Sequence, residues 1–144
     1  MKEVAVVGYC RTGIAKAGRG ALNQTHGIPL AAHVLRKVVE RAGIDPAEIE
    51  DVVLGCGLPE GATGHNIARN AALAAGFADA VPGVTINRYC GSGLTAASIV
   101  AKRIAAGEAS IAIAGGVESI SLVQFNLNMN GFVYEPLQQR MPAV

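Results

Sequence analysis

Apolar residues in this chain come in short runs broken by glycine or by polar stretches, and the spacing within each run predicts an element. Residues 3–8, Glu-Val-Ala-Val-Val-Gly, are almost continuously apolar, the pattern of a parallel strand covered on both faces. Residues 9–27 are rich in Gly, Thr, Asn and Arg and form a loop long enough to serve a surface role. A helix is predicted from Pro29 to Ala42, with proline suited to the first turn and Gly43 to the stop. Its apolar stripe is Ala31, Val34, Leu35, Val38 and Ala42, and His33, Arg36, Lys37, Glu40 and Arg41 fall largely opposite. Asp45, Pro46 and Glu48 carry a helix-start signature, but residues 51–54 return to strand at once. After a glycine-rich loop, a helix over 66–75 ends at Gly76, and a β-branched strand covers 84–88. A helix over 92–106 and a strand over 111–114 follow. The predicted order is β-α-β-α-β-α-β, with connections long enough for parallel crossovers.

The helix over 92–106 differs from the others. From Leu94 it is apolar or small on nearly every side until Lys102 and Arg103, and a helix without a wet face belongs inside a protein. One sheet covers only one side, so a further layer is expected over the other. From Leu122 the pattern lapses into Gln124, Asn126, Asn128 and Asn130 among apolar residues. No internal repeat or low-complexity tract stands out.

Composition narrows the class. The 144 residues suffice for one core, and 51% hydrophobic with 4% aromatic content means a core of Ala, Val, Ile and Leu. A net charge of +1 with interspersed signs offers no basic patch for nucleic acid or a membrane surface. No apolar run approaches a membrane span, and the first residues lack a signal-peptide pattern, so a cytoplasmic protein is expected. Three cysteines, at 10, 56 and 90, suit a reducing compartment and have no metal-type spacing, so no metal is expected.

The chemistry is expected at Cys90. There the strand meets a glycine-broken turn and then a helix start, where unpaired N–H groups and the helix dipole favour a thiolate. The layout is that of a nucleophile elbow with sulfur in place of oxygen. Gly91 supplies backbone freedom, and Asn87 and Ser92 are suited to holding the turn through side-chain to backbone bonds. Cys10 and Cys56 follow strands without a recognisable partner and read as packing residues. His26, His33 and His65 offer no clear base; Glu118 is expected to lie inward in a structural hydrogen bond. Asn66 and Arg69 fit a helix start and a polar contact at a subunit boundary. The glycine clusters at 55–57 and 61–64 lack the Gly-Lys-Ser/Thr of a phosphate loop.

Asn-Arg-Tyr-Cys-Gly-Ser-Gly-Leu, residues 87–94, resembles the nucleophile motif of the thiolases. Four further segments resemble the same family in the same order. They are the opening strand leading to Arg11-Thr12, Asp51-Val52-Val53-Leu54-Gly55, Gly64-His65-Asn66-Ile67-Ala68-Arg69, and Ala114-Gly115-Gly116-Val117-Glu118-Ser119. Gly13, Tyr89, Thr95 and Ile120 depart from residues common in the family, and none of them replaces the thiol.

The resemblance implies an α/β fold: a thiolase-like N-terminal half with a mostly parallel sheet, helices on both faces, and a layered body completed by a C-terminal half. Residues 1–120 would be the N-terminal domain and 121–144 the start of the substrate-binding loop region. It implies acyl transfer between 3-ketoacyl-CoA and CoA, or Claisen condensation of two acyl-CoA molecules, with Cys90 as nucleophile. Cys90, Gly91 and Asn87 would form the oxyanion turn, and coenzyme A and acyl-CoA would be substrates, with no further cofactor. A homodimer or tetramer is implied, with the strand at 84–88 paired to its symmetry mate across a two-fold. The family's Gly-His-Pro and Cys-x-Gly stretches, which supply the base and a second cysteine, do not occur in this sequence, so the chain alone is expected to be inactive. The alternatives are another condensing enzyme of the superfamily, such as a ketoacyl synthase or a hydroxymethylglutaryl-CoA synthase, and a non-catalytic chain that only dimerises or binds a partner.

Overall fold

A computed structural model describes residues 2–125. Helix α1 spans Gly27–Ala42, strand β1 Asp51–Gly55, helix α2 Ile67–Ala74, strand β2 Gly83–Ile86, helix α3 Ser92–Ala106 and strand β3 Ala112–Gly116. The three strands form a parallel sheet in the order β2-β1-β3, with Val53 opposite Val84 on one side and Ala114 on the other. The chain steps outward from β1 to β2, then back across β1 to β3. Crossovers of one hand therefore send the two connecting helices to opposite faces. The core clusters follow that division. Val52 and Leu54 pack with α1 and α2 through Ala32, Leu35, Val39, Ala68, Ala71 and Ala72, and Val53 packs on Ala96 and Val100 of α3.

Local chemistry sets the boundaries. Gly43 closes α1 in the left-handed conformation, φ 65°, as the sequence suggests. The start of α1 is two residues earlier than predicted, because His26 Nδ1 accepts from Ile28 N–H and so acts as the cap. Histidine is not among the usual capping residues, so this start is hidden in the sequence. Asp45 and Glu48 form the expected reciprocal capping box, around a single 3₁₀ turn over Pro46–Glu48. The buried face of α1 is Ala31, Ala32, Leu35 and Val39, rotated from the predicted stripe toward α2; Val34, Val38 and Ala42 are only half-buried.

The opening run departs from expectation. Residues 3–8 form no ladder, and Val6 is 86% exposed rather than buried between two layers. Their attachments are few: Lys2 N–H donates to Ala105 O, Gly8 lies against Val38 and Ala42, and Arg41 donates to Tyr9 O. An apolar cavity of about 750 Å³ separates this run from the outer side of β3, bounded by Val4, Val7 and Cys10 and by Ile111, Ile113 and Val117. Across that space the run pairs with no strand of the sheet. No helix of the described residues is long and apolar enough to cross a membrane.

Candidate active site

The candidate nucleophile sits where β2 ends and α3 begins, at the carboxyl end of the sheet, where open parallel α/β sheets place their ligands. Tyr89–Gly91 make one 3₁₀ turn leading directly into α3. Tyr89 adopts φ 46°, a conformation that residues with a Cβ seldom adopt. Three side-chain bonds hold it there. Asn87 Oδ1 accepts from Tyr89 N–H at 2.8 Å, and the Ser92 hydroxyl accepts from Arg88 N–H at 2.8 Å while donating to Tyr89 O at 2.6 Å. Cys90 and Gly91 are exposed at the tip, and Ser92 is buried beneath. The amides around the thiol are largely engaged by the turn itself, since Gly91 N–H donates to Arg88 O at 3.0 Å and Ser92 N–H donates to Tyr89 O.

The sheet under this turn is cut to fit it. A Cβ on Gly55 would lie 2.3 Å from the Ser92 carbonyl carbon and 2.5 Å from Gly93 N, so α3 rests its first turn on the bare backbone at the end of β1. The sequence draws attention to residues 51–55 as a segment without singling out this glycine. At the other end of the same pair, buried Asp51 takes a hydrogen-bonded ion pair from Arg103 and accepts from Val52 N–H at 2.8 Å.

The other cysteines differ in kind. Cys10 is half-buried in the loop after the opening run. Cys56 is fully buried one residue past β1, and burial, followed by the Glu118 carboxylate beside it, pushes its thiol up to about 11. Glu118 itself is exposed rather than inward, but its carboxylate accepts from Gly57 N–H, a bond between residues 61 apart that no sequence pattern marks. Among the described residues no histidine shares a hydrogen bond with Cys90: His26 caps α1, and His33 and His65 are exposed. Asn66 caps α2 and donates to Gly83 O at 2.7 Å. The guanidinium of Arg69, expected at a subunit boundary, is used within the chain, donating to Val81 O and Asp79 O. It is bound there because the loop between α2 and β2 turns its carbonyls toward α2.

Residues 4–141 match the family description "Thiolase, N-terminal domain". The 3-ketoacyl-CoA thiolase of Bacillus subtilis is 40% identical over 136 residues, covering 94% of this chain and 34% of that protein. The acetyl-CoA acetyltransferase of Cupriavidus necator is 42% identical over 121 residues, covering 84% and 30%. The crystal structure of the Bacillus anthracis acetyl-CoA acetyltransferase superposes with a TM-score of 0.78 at 40% identity, over 82% of this chain and 29% of that one. The chain thus spans about a third of the length of the curated relatives it matches. The parallel α/β sheet and the match over nearly all of the chain lead to one assignment: this chain belongs to the thiolase family, through its N-terminal domain.

Proposed function

We propose that the chain supplies the nucleophile-bearing part of an acyl-CoA acyltransferase, with Cys90 as the acyl acceptor. In the thiolytic direction the Cys90 thiolate adds to the 3-keto carbonyl of a 3-ketoacyl-CoA. The bond between the α and β carbons breaks, and acetyl-CoA departs after its carbanion takes up a proton. The acyl group is left on sulfur as a thioester. The thiol of CoA then attacks that thioester and carries the acyl group away; condensation runs the same steps in reverse. A covalent thioester divides one difficult carbon-carbon step into two easier ones. At the turn of Asn87, Cys90 and Gly91, the Cys90 N–H would stabilise the tetrahedral oxyanion, a contribution of roughly 10²–10³ in rate per donor, whereas Gly91 N–H is bonded to Arg88 O at 3.0 Å. The base and the proton-moving second cysteine would come from a C-terminal half, because Gly-His-Pro and Cys-x-Gly stretches do not occur here. Residues 1–120 would be the domain proper and 121–144 the start of the substrate-binding loop region, of which 126–144 lie outside the described residues.

The observation that carries this reading is the exposed thiol at the start of α3, on a bonded turn at the carboxyl end of the sheet. Partner chemistry is proposed on a second observation. β2 pairs only with β1 among the described residues; Asn66 occupies Gly83 O on its outer edge, and the rest of that edge, with Val84 42% exposed, is one that a two-fold mate would satisfy. A homodimer, or a tetramer of such dimers, is the assembly proposed.

Brief treatment with iodoacetamide followed by peptide mapping tests the nucleophile. Cys90 should be labelled first, and Cys56 last, because its buried thiol holds its proton to about 11. Labelling of Cys10 or Cys56 ahead of Cys90 would overturn the assignment.

A further inference from the structure

Glu118 lies two residues beyond β3, yet its carboxylate is committed to the loop that follows β1. It accepts from Gly57 N–H, next to the buried Cys56. Gly57 in turn is seated against the turn that carries Cys90. A Cβ built on Gly57 would lie 3.5 Å from the Tyr89 Cα and carbonyl carbon and 3.4 Å from Glu118 Oε1, so these three groups are packed side by side. Tyr89 is the residue held at φ 46°, and its peptide leads directly into Cys90. The bonds from Asn87 and Ser92 tie the turn to its own flanks, whereas Glu118 is the group that braces the neighbouring loop against it.

We infer that Glu118 is a positioning residue for the nucleophile: by bonding Gly57 N–H it holds the loop after β1 against Tyr89, and so keeps Cys90 at the start of α3. This rests on the reading of Cys90 as nucleophile given above. Glu118 touches no reacting atom in this role. Its location at the ends of β1 and β3 explains how a residue so far along the chain acts on a turn after β2: adjacent strands of a parallel sheet end side by side. An ion-bearing acceptor suits the task, since hydrogen bonds to a charged group are stronger than neutral ones.

The test compares E118A, E118D and E118Q in the 144-residue chain at one fixed concentration. It follows the bimolecular rate of iodoacetamide at each cysteine and hydrogen exchange at the Gly57 amide. Asp keeps the charge but is one methylene too short to reach Gly57 N–H; Gln keeps the acceptor oxygen without the charge. Loss of one such bond should slow Cys90 labelling roughly tenfold in E118A and E118D and speed Gly57 exchange, with Cys10 unchanged. E118Q should restore both to within about threefold of the wild type, a rescue that general loosening of the fold does not produce. Circular dichroism and continued protection of Cys56 check that each variant is folded; if E118A is not, the contrast between E118D and E118Q decides. Cys90 rates that stay at the wild-type value while Gly57 exchange rises overturn the positioning role and leave the nucleophile standing. So does E118Q reacting as slowly as E118D. A wild-type Cys90 no faster than Cys10 removes the nucleophile reading, and this inference with it.

Discussion

Cys56 and Cys90 are separated by what surrounds their sulfur atoms. Cys90 stands in the open at a helix start, whereas Cys56 is buried beside a carboxylate, which raises its thiol from an ordinary 9.0 to about 11. That shift has a consequence for stability with a definite sign. Between pH 9 and 11 the unfolded chain gives up the Cys56 proton and the folded chain keeps it, so the unfolded state binds fewer protons and stability falls as pH rises. Below pH 9 the contribution is fully present, and beyond about pH 11 the loss levels off at about 2–3 kcal/mol. Urea midpoints at pH 8 and pH 11 and one fixed chain concentration should therefore diverge more for the wild type than for Cys56→Ala. Equal slopes for the two would contradict the buried assignment. The residue type alone shows none of this. A cysteine after a strand reads as a packing residue, and only the fold brings Glu118 next to it.

At the scale of elements, the first turn of α3 is seated on β1 at one glycine. Gly55→Ala would place a methyl group where the Ser92 and Gly93 backbone already lies, and backbone cannot swing aside as a side chain does. The first turn of α3 must lift, taking Cys90 with it. The expected cost is about 1–3 kcal/mol, as for other insertions into a filled space, with slower labelling of Cys90. A thermal melt and the iodoacetamide rate read the two effects, and an unshifted melt would show that the helix start is not seated there. The neighbouring elements were legible in the sequence for physical reasons. The strand at 51–55 and the helix at 92–106 fall where the sequence places them, the strand expected over 84–88 is found at Gly83–Ile86, and Asn66 as a cap and Gly43 and Gly76 as stops with positive φ bound α2 and α1 locally. The strand expected over residues 3–8 was not legible in the same way. Whether an apolar run becomes a strand is settled by docking on a neighbouring edge, which the local pattern does not encode, and this run lies across the cavity from β3 without joining it. The turn at Cys90 could be read from Asn87 and Ser92, whose bonds are local, but not from its glycines, because the positive φ falls on Tyr89 and Gly91 sits at φ −91°. The fit of Gly55 could not be read, and of Glu118 only the structural bond was legible and not its partner, because each acts on a residue brought close only by the order of strands.

At the scale of the whole molecule, α3 is covered on one side and open on the other. Ser92, Ala96 and Val100 are buried on the sheet, while Leu94 is 81% exposed, Ala97 and Ser98 are exposed, and Ile99 and Ile104 are half-buried. The outer edge of β2 lies on the same layer, and the opening run adds Val6 and Val7, and the loop after it Ile14, to the exposed apolar surface. Leaving a large apolar side chain in water forfeits roughly 1.5–3 kcal/mol. A few such residues together rival the margin of about 5–15 kcal/mol that holds a domain folded. The chain should therefore gain stability by association, and size-exclusion chromatography with light scattering should find it self-associated or aggregated, with a melting temperature that rises with concentration. Leu94→Lys, which places a charge on the open face without touching the buried one, should shift it toward monomer. If the base lies in a C-terminal half, as proposed, association does not supply it, and thiolysis of acetoacetyl-CoA should not exceed that of Cys90→Ala. A monodisperse monomer with a sharp, concentration-independent melt would refute the open-face argument. Turnover that depends on Cys90 would place the base within these 144 residues and turn attention to His65 and Glu118.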